Sequence, residues 1–125
     1  MNLLLDTQIV LWVTTNDPKL RPKARETIEL ADEVFVSSIA IWEIAIKASA
    51  GKLVADVAEL AGHLVRRGFR SLPVTWAHAQ TVRDLPFHHG DPFDRMLVAQ
   101  AMTEPLRLLT ADRLLARYSE LVTVV

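Results

Sequence analysis

A chain of 125 residues, half of them apolar and with a mean hydropathy of +0.20, can bury one core without cross-links. It holds no cysteine, which excludes a disulfide framework and thiol chemistry and fits a reducing compartment. The formal net charge of −1 gives no bulk attraction to nucleic acid, and an aromatic content of 6% suggests no base-stacking platform. The opening MNLLLDTQIVLWV is apolar, but it has no basic start and is broken by Asp6, so it does not read as a signal peptide. No uninterrupted apolar run approaches the ~18 residues of a membrane span. A soluble, cytoplasmic protein without membrane contact is expected.

In chain order, Asn2 to Leu5 is a short apolar strand, followed by a helix over Thr7 to Val13. Asn16-Asp17-Pro18 is a turn, and Pro22 suits the first turn of a helix that carries Ile28 and Ala31 inward. Val34 to Val36 is β-branched and aromatic, so a strand. Ser37-Ser38 caps a helix from about Ile39 to Ala50, with Gly51 just past its end. Val57, Leu60, Ala61 and Leu64 form a second helical stripe, which Gly68 closes. Leu72-Pro73-Val74 reads as an edge strand and Trp76 to Arg83 as a helix. The next helix starts with Asp91 as N-cap, Pro92 at N1 and Asp94 at N3, and ends before Pro105. Leu106 to Leu109 is a strand, Ala111 to Tyr118 a helix, and Leu121 to Val125 a last strand. This alternation predicts an α/β fold, one domain over residues 1–125, with a mostly parallel sheet covered by helices on both faces.

The acids are placed oddly on that frame. Asp94 shares a helical stripe with Leu97, Val98 and Ala101, so a carboxylate leads a stripe that should be buried. Glu43 lies between Ile39 and Ile46, again on an apolar stripe, with Lys47 one turn on as its simplest partner. Asp6 follows the first strand directly, and Asp112 follows the fourth strand by three residues. In an open parallel sheet the strand ends and the starts of the following helices share one rim, where ligands bind. Taken singly, Asp94 and Asp112 read as helix caps, Asp6 as a turn residue and Glu43 as half of an ion pair. Converging on one rim, they would raise one another's pKa, a cost that a divalent cation removes. Magnesium suits an all-oxygen site, and manganese also fits.

LLLDTQ, SSIAIWEIAIK, DPFDRMLVAQA and LLTADRLL resemble, in that order, the acidic motifs of the PIN domain. Within it the chain is most similar to the small VapC-type toxins of prokaryotic toxin–antitoxin pairs, over nearly its whole length. The resemblance implies a parallel sheet of about five strands with helices on both faces. It also implies a magnesium-dependent endoribonuclease, commonly dimeric and held inactive by an antitoxin that covers the acidic groove. Asp6, Glu43 and Asp94 match the core acids of the family, Asp112 its more variable fourth, and Thr110 a small polar position near the site. Two departures stand out. Gln8 replaces a smaller polar residue, and Asp91 is an additional acid. Asp91 is assigned to capping, since Pro92 makes it a good N-cap. The reverse assignment stays open, at the cost of leaving Asp94 an unexplained buried charge.

Around these acids, Lys47, Arg95 and Thr110 are candidate RNA contacts, while Lys19, Arg21, Lys23 and Arg25 read as solvated surface. His88-His89 invites a transition-metal reading, set aside because no third nitrogen or sulfur ligand follows at a usual spacing; a flexible loop beside the site is expected instead. Trp12, Trp42 and Trp76 are assigned to the core or an interface. Two other classes remain open. One is a haloacid-dehalogenase-type phosphatase, which normally carries a second Asp where this chain has Gln8; the other is a non-catalytic partner-binding module.

Overall fold

The structure, a computed structural model, describes residues 1–125. Its first strand, β1 (Asn2–Leu5), lies in the middle of a five-stranded sheet. Helices α1 (Thr7–Thr14) and α2 (Pro22–Leu30) lead from it to β2 (Glu33–Ser37). Then α3 (Ser38–Ser49) and α4 (Val57–Arg66) lead to β3 (Arg70–Leu72). After α5 (Trp76–Asp84) and α6 (Pro92–Thr103) the chain returns to the far side of β1 as β4 (Arg107–Thr110). A 3₁₀ turn (Arg113–Arg117) then feeds β5 (Val122–Val124). The strand order is β3-β2-β1-β4-β5 and every pairing is parallel.

The pleat decides which side chains meet. Leu3 and Leu5 of β1, Val34 and Val36 of β2 and Leu109 of β4 pack on one face against α1 to α4, with Ile9, Val10, Ile28, Ile44 and Leu64. Leu4 and Leu108 point the other way, onto Leu97, Val98 and Ala101 of α6 and onto Leu115. The sheet is covered on both sides, which is why β1 can be a continuous run of leucines. Each fully buried leucine contributes ~1.5–3 kcal/mol of transfer free energy. The stripe led by Asp94 faces the core as its sequence implies, since Leu97 and Val98 are fully buried.

Two elements differ from the sequence reading. The edge strand β3 lies two residues earlier than Leu72–Val74, and ends before Pro73, which has no N–H to give the ladder. The segment after β4 forms a five-residue 3₁₀ turn rather than an α-helix over Ala111 to Tyr118. Trp76 and Trp42 are not core residues, being 88% and 57% exposed, while Trp12 packs half-buried against the core. Gly51 and Gly68 stop α3 and α4 with φ of +70° and +79°, a region open to glycine. No helix is long and apolar enough to cross a membrane.

Candidate metal centre

Sequence neighbours β1, β2 and β3 lie on one side and β4 and β5 on the other, so strand order reverses between β1 and β4. Asp6 stands at that point. It leaves β1 with its N–H on the Leu109 carbonyl of β4 (3.0 Å) and caps α1, its Oδ1 accepting from the Ile9 N–H at 2.9 Å. Its Oδ2 accepts from the Thr110 hydroxyl at the end of β4. Asp6 is 5% exposed, and burial pushes its carboxyl above the usual range. The hydrogen bonds from Thr110 and Ile9 oppose that rise, while Glu43 and Asp112 add to it.

Glu43 comes from α3 and is also buried. The Thr7 hydroxyl donates to its Oε1 at 2.6 Å, and Lys47, one turn along, sits 2.8 Å from its Oε2. That hydrogen bond, with the further pull of the Glu43, Asp91 and Asp94 charges, raises the Lys47 pKa against the opposing effect of burial. Asp94 sits at N3 of α6, and its pKa is pushed up to about 7. Burial is the main cause, followed by the charges of Asp91, Asp6 and Glu43; His89 acts the other way. Asp112 caps the 3₁₀ turn through Oδ1, which accepts from the Leu114 N–H at 2.9 Å. Its own N–H donates to the Thr110 hydroxyl at 3.0 Å.

The four acids predicted to converge do so. Asp6, Glu43, Asp94 and Asp112, with Thr7 and Lys47, line one cleft of about 330 Å³. Asp91 reaches the same cleft, but its Oδ1 accepts from the N–H groups of Phe93 and Asp94 at 2.8 and 3.1 Å, the capping role assigned to it. A set of oxygen donors whose burial and mutual repulsion hold two carboxyls above their ordinary range fits a hard divalent cation.

The candidate RNA contacts fare differently. Lys47 lines the cleft beside Glu43. Thr110 is fully buried and holds the Asp6 carboxylate and the Asp112 backbone, which leaves it no surface for an RNA contact. Arg95 is only 6% exposed and turns away from the cleft, donating to the carbonyls of Pro86, Val82 and Leu85 and to the Tyr118 hydroxyl.

His89 is the residue that the sequence reading passed over. Its Nδ1 accepts from the Asp91 N–H at 3.0 Å, which puts the proton of the neutral ring on Nε2. Nε2 is 2.8 Å from Asp112 Oδ2 and 3.6 Å from Asp94 Oδ2. The two carboxylate oxygens and this ring nitrogen lie within 4.8 Å of one another. A search along the sequence for a third nitrogen or sulfur ligand could not find this group, because its partners are acids brought in by α6 and the end of β4. The loop is tied to the rest of the domain at two points. The Tyr118 hydroxyl bonds the His89 backbone, and the Arg95 guanidinium holds Pro86.

A parallel five-stranded sheet with an acid-lined cleft at its switch point defines the class of protein. The PIN domain family model matches residues 3–121, and the chain belongs to that family. It is 32% identical over 131 residues to Ribonuclease VapC22 of Mycobacterium tuberculosis, an alignment covering 98% of this chain and 97% of that protein. Among solved structures, the fold is shared with a chain of VapBC2 from Rickettsia felis bound to a promoter DNA fragment. That match has a TM-score of 0.76 and 15% identity, covering 100% of this chain and 98% of the other. A chain of a toxin–antitoxin complex from Klebsiella pneumoniae matches with a TM-score of 0.69 and 18% identity, over 98% and 96% of the two chains.

Proposed function

We propose that the chain is a magnesium-dependent endoribonuclease, the toxin of a toxin–antitoxin pair, with Asp6, Glu43, Asp94 and Asp112 holding the metal. The observation that carries this reading is the cleft itself: four carboxylates from four separate elements, with Asp94 held near pH 7 by burial and by its acidic neighbours. A cation placed beside such a group lowers its pKa and favours the ionised form. The ribonuclease named among its relatives supports RNA as substrate, and the toxin–antitoxin complexes that share its fold support an antitoxin partner. The protein works in the cytoplasm as a homodimer, and manganese can replace magnesium.

When bound, magnesium supplies charge neutralisation at the phosphate and a water acidic enough to attack it. The chain supplies positions. Asp6 is held from both ends, by the Ile9 N–H on one oxygen and by Thr110 on the other. Thr7 and Lys47 hold Glu43 in the same way. Lys47 keeps its proton, so it offsets the Glu43 charge and has N–H donors left for a phosphate oxygen of the RNA. No histidine base is needed for phosphodiester cleavage of this kind.

The test compares the parent protein with Asp6→Asn, both shown folded by circular dichroism, on total RNA with and without magnesium. Cleavage that requires the metal and is lost in Asp6→Asn is expected. Equal rates for the two proteins, or undiminished cleavage in chelator, end the reading. Release of phosphate from small phosphomonoesters would instead mark the phosphatase.

A further inference from the structure

Of the acids in the cleft, Asp112 is the least enclosed. Its side chain is 37% exposed, against 21% for Asp94 and 8% for Glu43. Packing alone does not fix a carboxyl with that much freedom. Asp6 and Glu43 are each held at both oxygens, Asp6 by Ile9 and Thr110 and Glu43 by Thr7 and Lys47. One oxygen of Asp112 accepts from the Leu114 N–H, inside its own turn. The other meets His89 Nε2 at 2.8 Å, from a distant segment of the chain. What His89 does there depends on where its ring proton lies.

Two roles are open to a ring nitrogen this near two carboxylates. With a lone pair on Nε2, His89 would join Asp94 and Asp112 as a nitrogen ligand of a metal. With a proton on Nε2, it would donate to Asp112. The backbone decides between them. An N–H of the main chain can only donate, and that of Asp91 meets Nδ1 at 3.0 Å. A ligating histidine donates its other ring N–H to an acceptor, whereas here the other nitrogen faces a donor. Nδ1 therefore keeps its lone pair, and Nε2 carries the proton. The ring is also well anchored. The Tyr118 hydroxyl accepts from the His89 N–H at 2.9 Å, and Tyr118 is the C-cap of the 3₁₀ turn that Asp112 caps at its start. On the other side Asp91 caps α6, which carries Asp94. His89 thus ties the start of α6 to the residue that follows β4. We infer that His89 is a positioning residue that fixes Asp112 through Nε2–H and is not a metal ligand, which keeps the centre all-oxygen and suited to a hard dication.

This inference rests on the metal centre proposed above, and manganese binding tests it without RNA. His89→Asn and His89→Gln divide the two contacts of the ring. In His89→Asn the side-chain carbonyl still accepts from the N–H two residues on, as in an Asx turn, but the side chain is too short for Asp112. In His89→Gln the longer amide presents an N–H to Asp112. Affinity is read from the electron paramagnetic resonance signal of free manganese, with parent and variants shown folded by circular dichroism. His89→Asn should bind manganese ~10–100-fold more weakly, and His89→Gln should stay close to the parent. In an Asp112→Asn background, His89→Asn should add no further loss, since it acts through Asp112. Pulsed resonance of the manganese-loaded parent, which needs no variant, should show no directly bound nitrogen. Parent affinity in His89→Asn overturns the positioning role. So does an equal loss in His89→Gln, or an undiminished further loss in the Asp112→Asn background, since either would reflect a displaced loop. A bound nitrogen that disappears in His89→Asn would make His89 a ligand and overturn it too. Any of these results, in a protein that still binds manganese and cuts RNA, leaves the nuclease reading standing. If the parent binds no manganese, the centre and this inference fall together.

Discussion

Thr110 shows how much a single hydroxyl can carry at this site. It is fully buried, donates to Asp6 and accepts from the Asp112 N–H, so it ties together two acids that lie far apart along the chain. Thr110→Val keeps the shape and removes both bonds. Losing such a partner of a ligand carboxylate typically weakens metal affinity by ~10–100-fold. The half-maximal magnesium concentration for RNA cleavage should rise by that order, and excess magnesium should recover most of the rate. Unchanged magnesium dependence would show that Asp6 needs no such support. Arg95 makes a different residue-scale prediction. Arg95→Met leaves the carbonyls of Val82, Leu85 and Pro86 without their donors, a loss of about 2–3 kcal/mol of stability in urea unfolding.

At the scale of elements, α6 is the segment on which fold and site depend together. Its N-cap Asp91 satisfies two free N–H groups, its third residue Asp94 enters the cleft, and its apolar stripe covers one face of the sheet. Two acids three residues apart thus divide into a cap and a cleft residue, the latter a proposed ligand. Asp91→Ser preserves the cap, so RNA cleavage should stay within a few-fold of the parent. Asp91→Ala should cost ~1 kcal/mol of stability. Asp94→Asn should stop cleavage while the helix remains. A silent Asp91→Ser protein would reverse the assignment of the two acids. The 3₁₀ turn after β4 belongs to the same scale. Asp112 caps it from the end of a strand, and its five residues hold Leu115 in the core without room for an α-helix.

For the whole molecule, gathering acids into one cleft trades stability for function, and pH exposes the trade. The folded carboxyls of Asp94 and Asp6 have pKa values raised above their unfolded values, Asp94 to about 7. The folded state therefore holds protons that the unfolded state has released. The stability from Asp94 is fully present below about pH 4 and is lost as pH rises through about 7. Metal-free protein should thus become less stable between about pH 4 and pH 7 from this site. Magnesium at pH 8 should raise the melting temperature, and Asp94→Asn should flatten the slope. Melting curves across this range, with chelator and with magnesium, check all three. A stability that rises with pH in Asp94→Asn and parent alike would show that other groups dominate.

The sequence by itself determined the layers, the order of elements and the identity of the four acids. Each of these rests on local chemistry: leucine runs that must be buried on both faces, serine and aspartate at helix starts, and connectivity that sends strand ends to one rim. It also identified Asp91 as a cap, because Pro92 fixes the first turn that follows. Only the tertiary structure decided what lies beside those acids. His89 finds its partners 23 residues away in Asp112 and on the neighbouring helix in Asp94, so no spacing along the chain announces it. Arg95 follows Asp94 directly, yet one step along a helix turns its side chain from the cleft to the buried side of a loop, and proximity in sequence misleads. Thr110 likewise reads from the sequence as a polar residue near the site free to touch RNA, until two strands pair and bury it against Asp6. Periodicity and capping act over a few residues and are legible one element at a time, whereas a side chain's partners are set by elements that meet only when the sheet has closed over its helices.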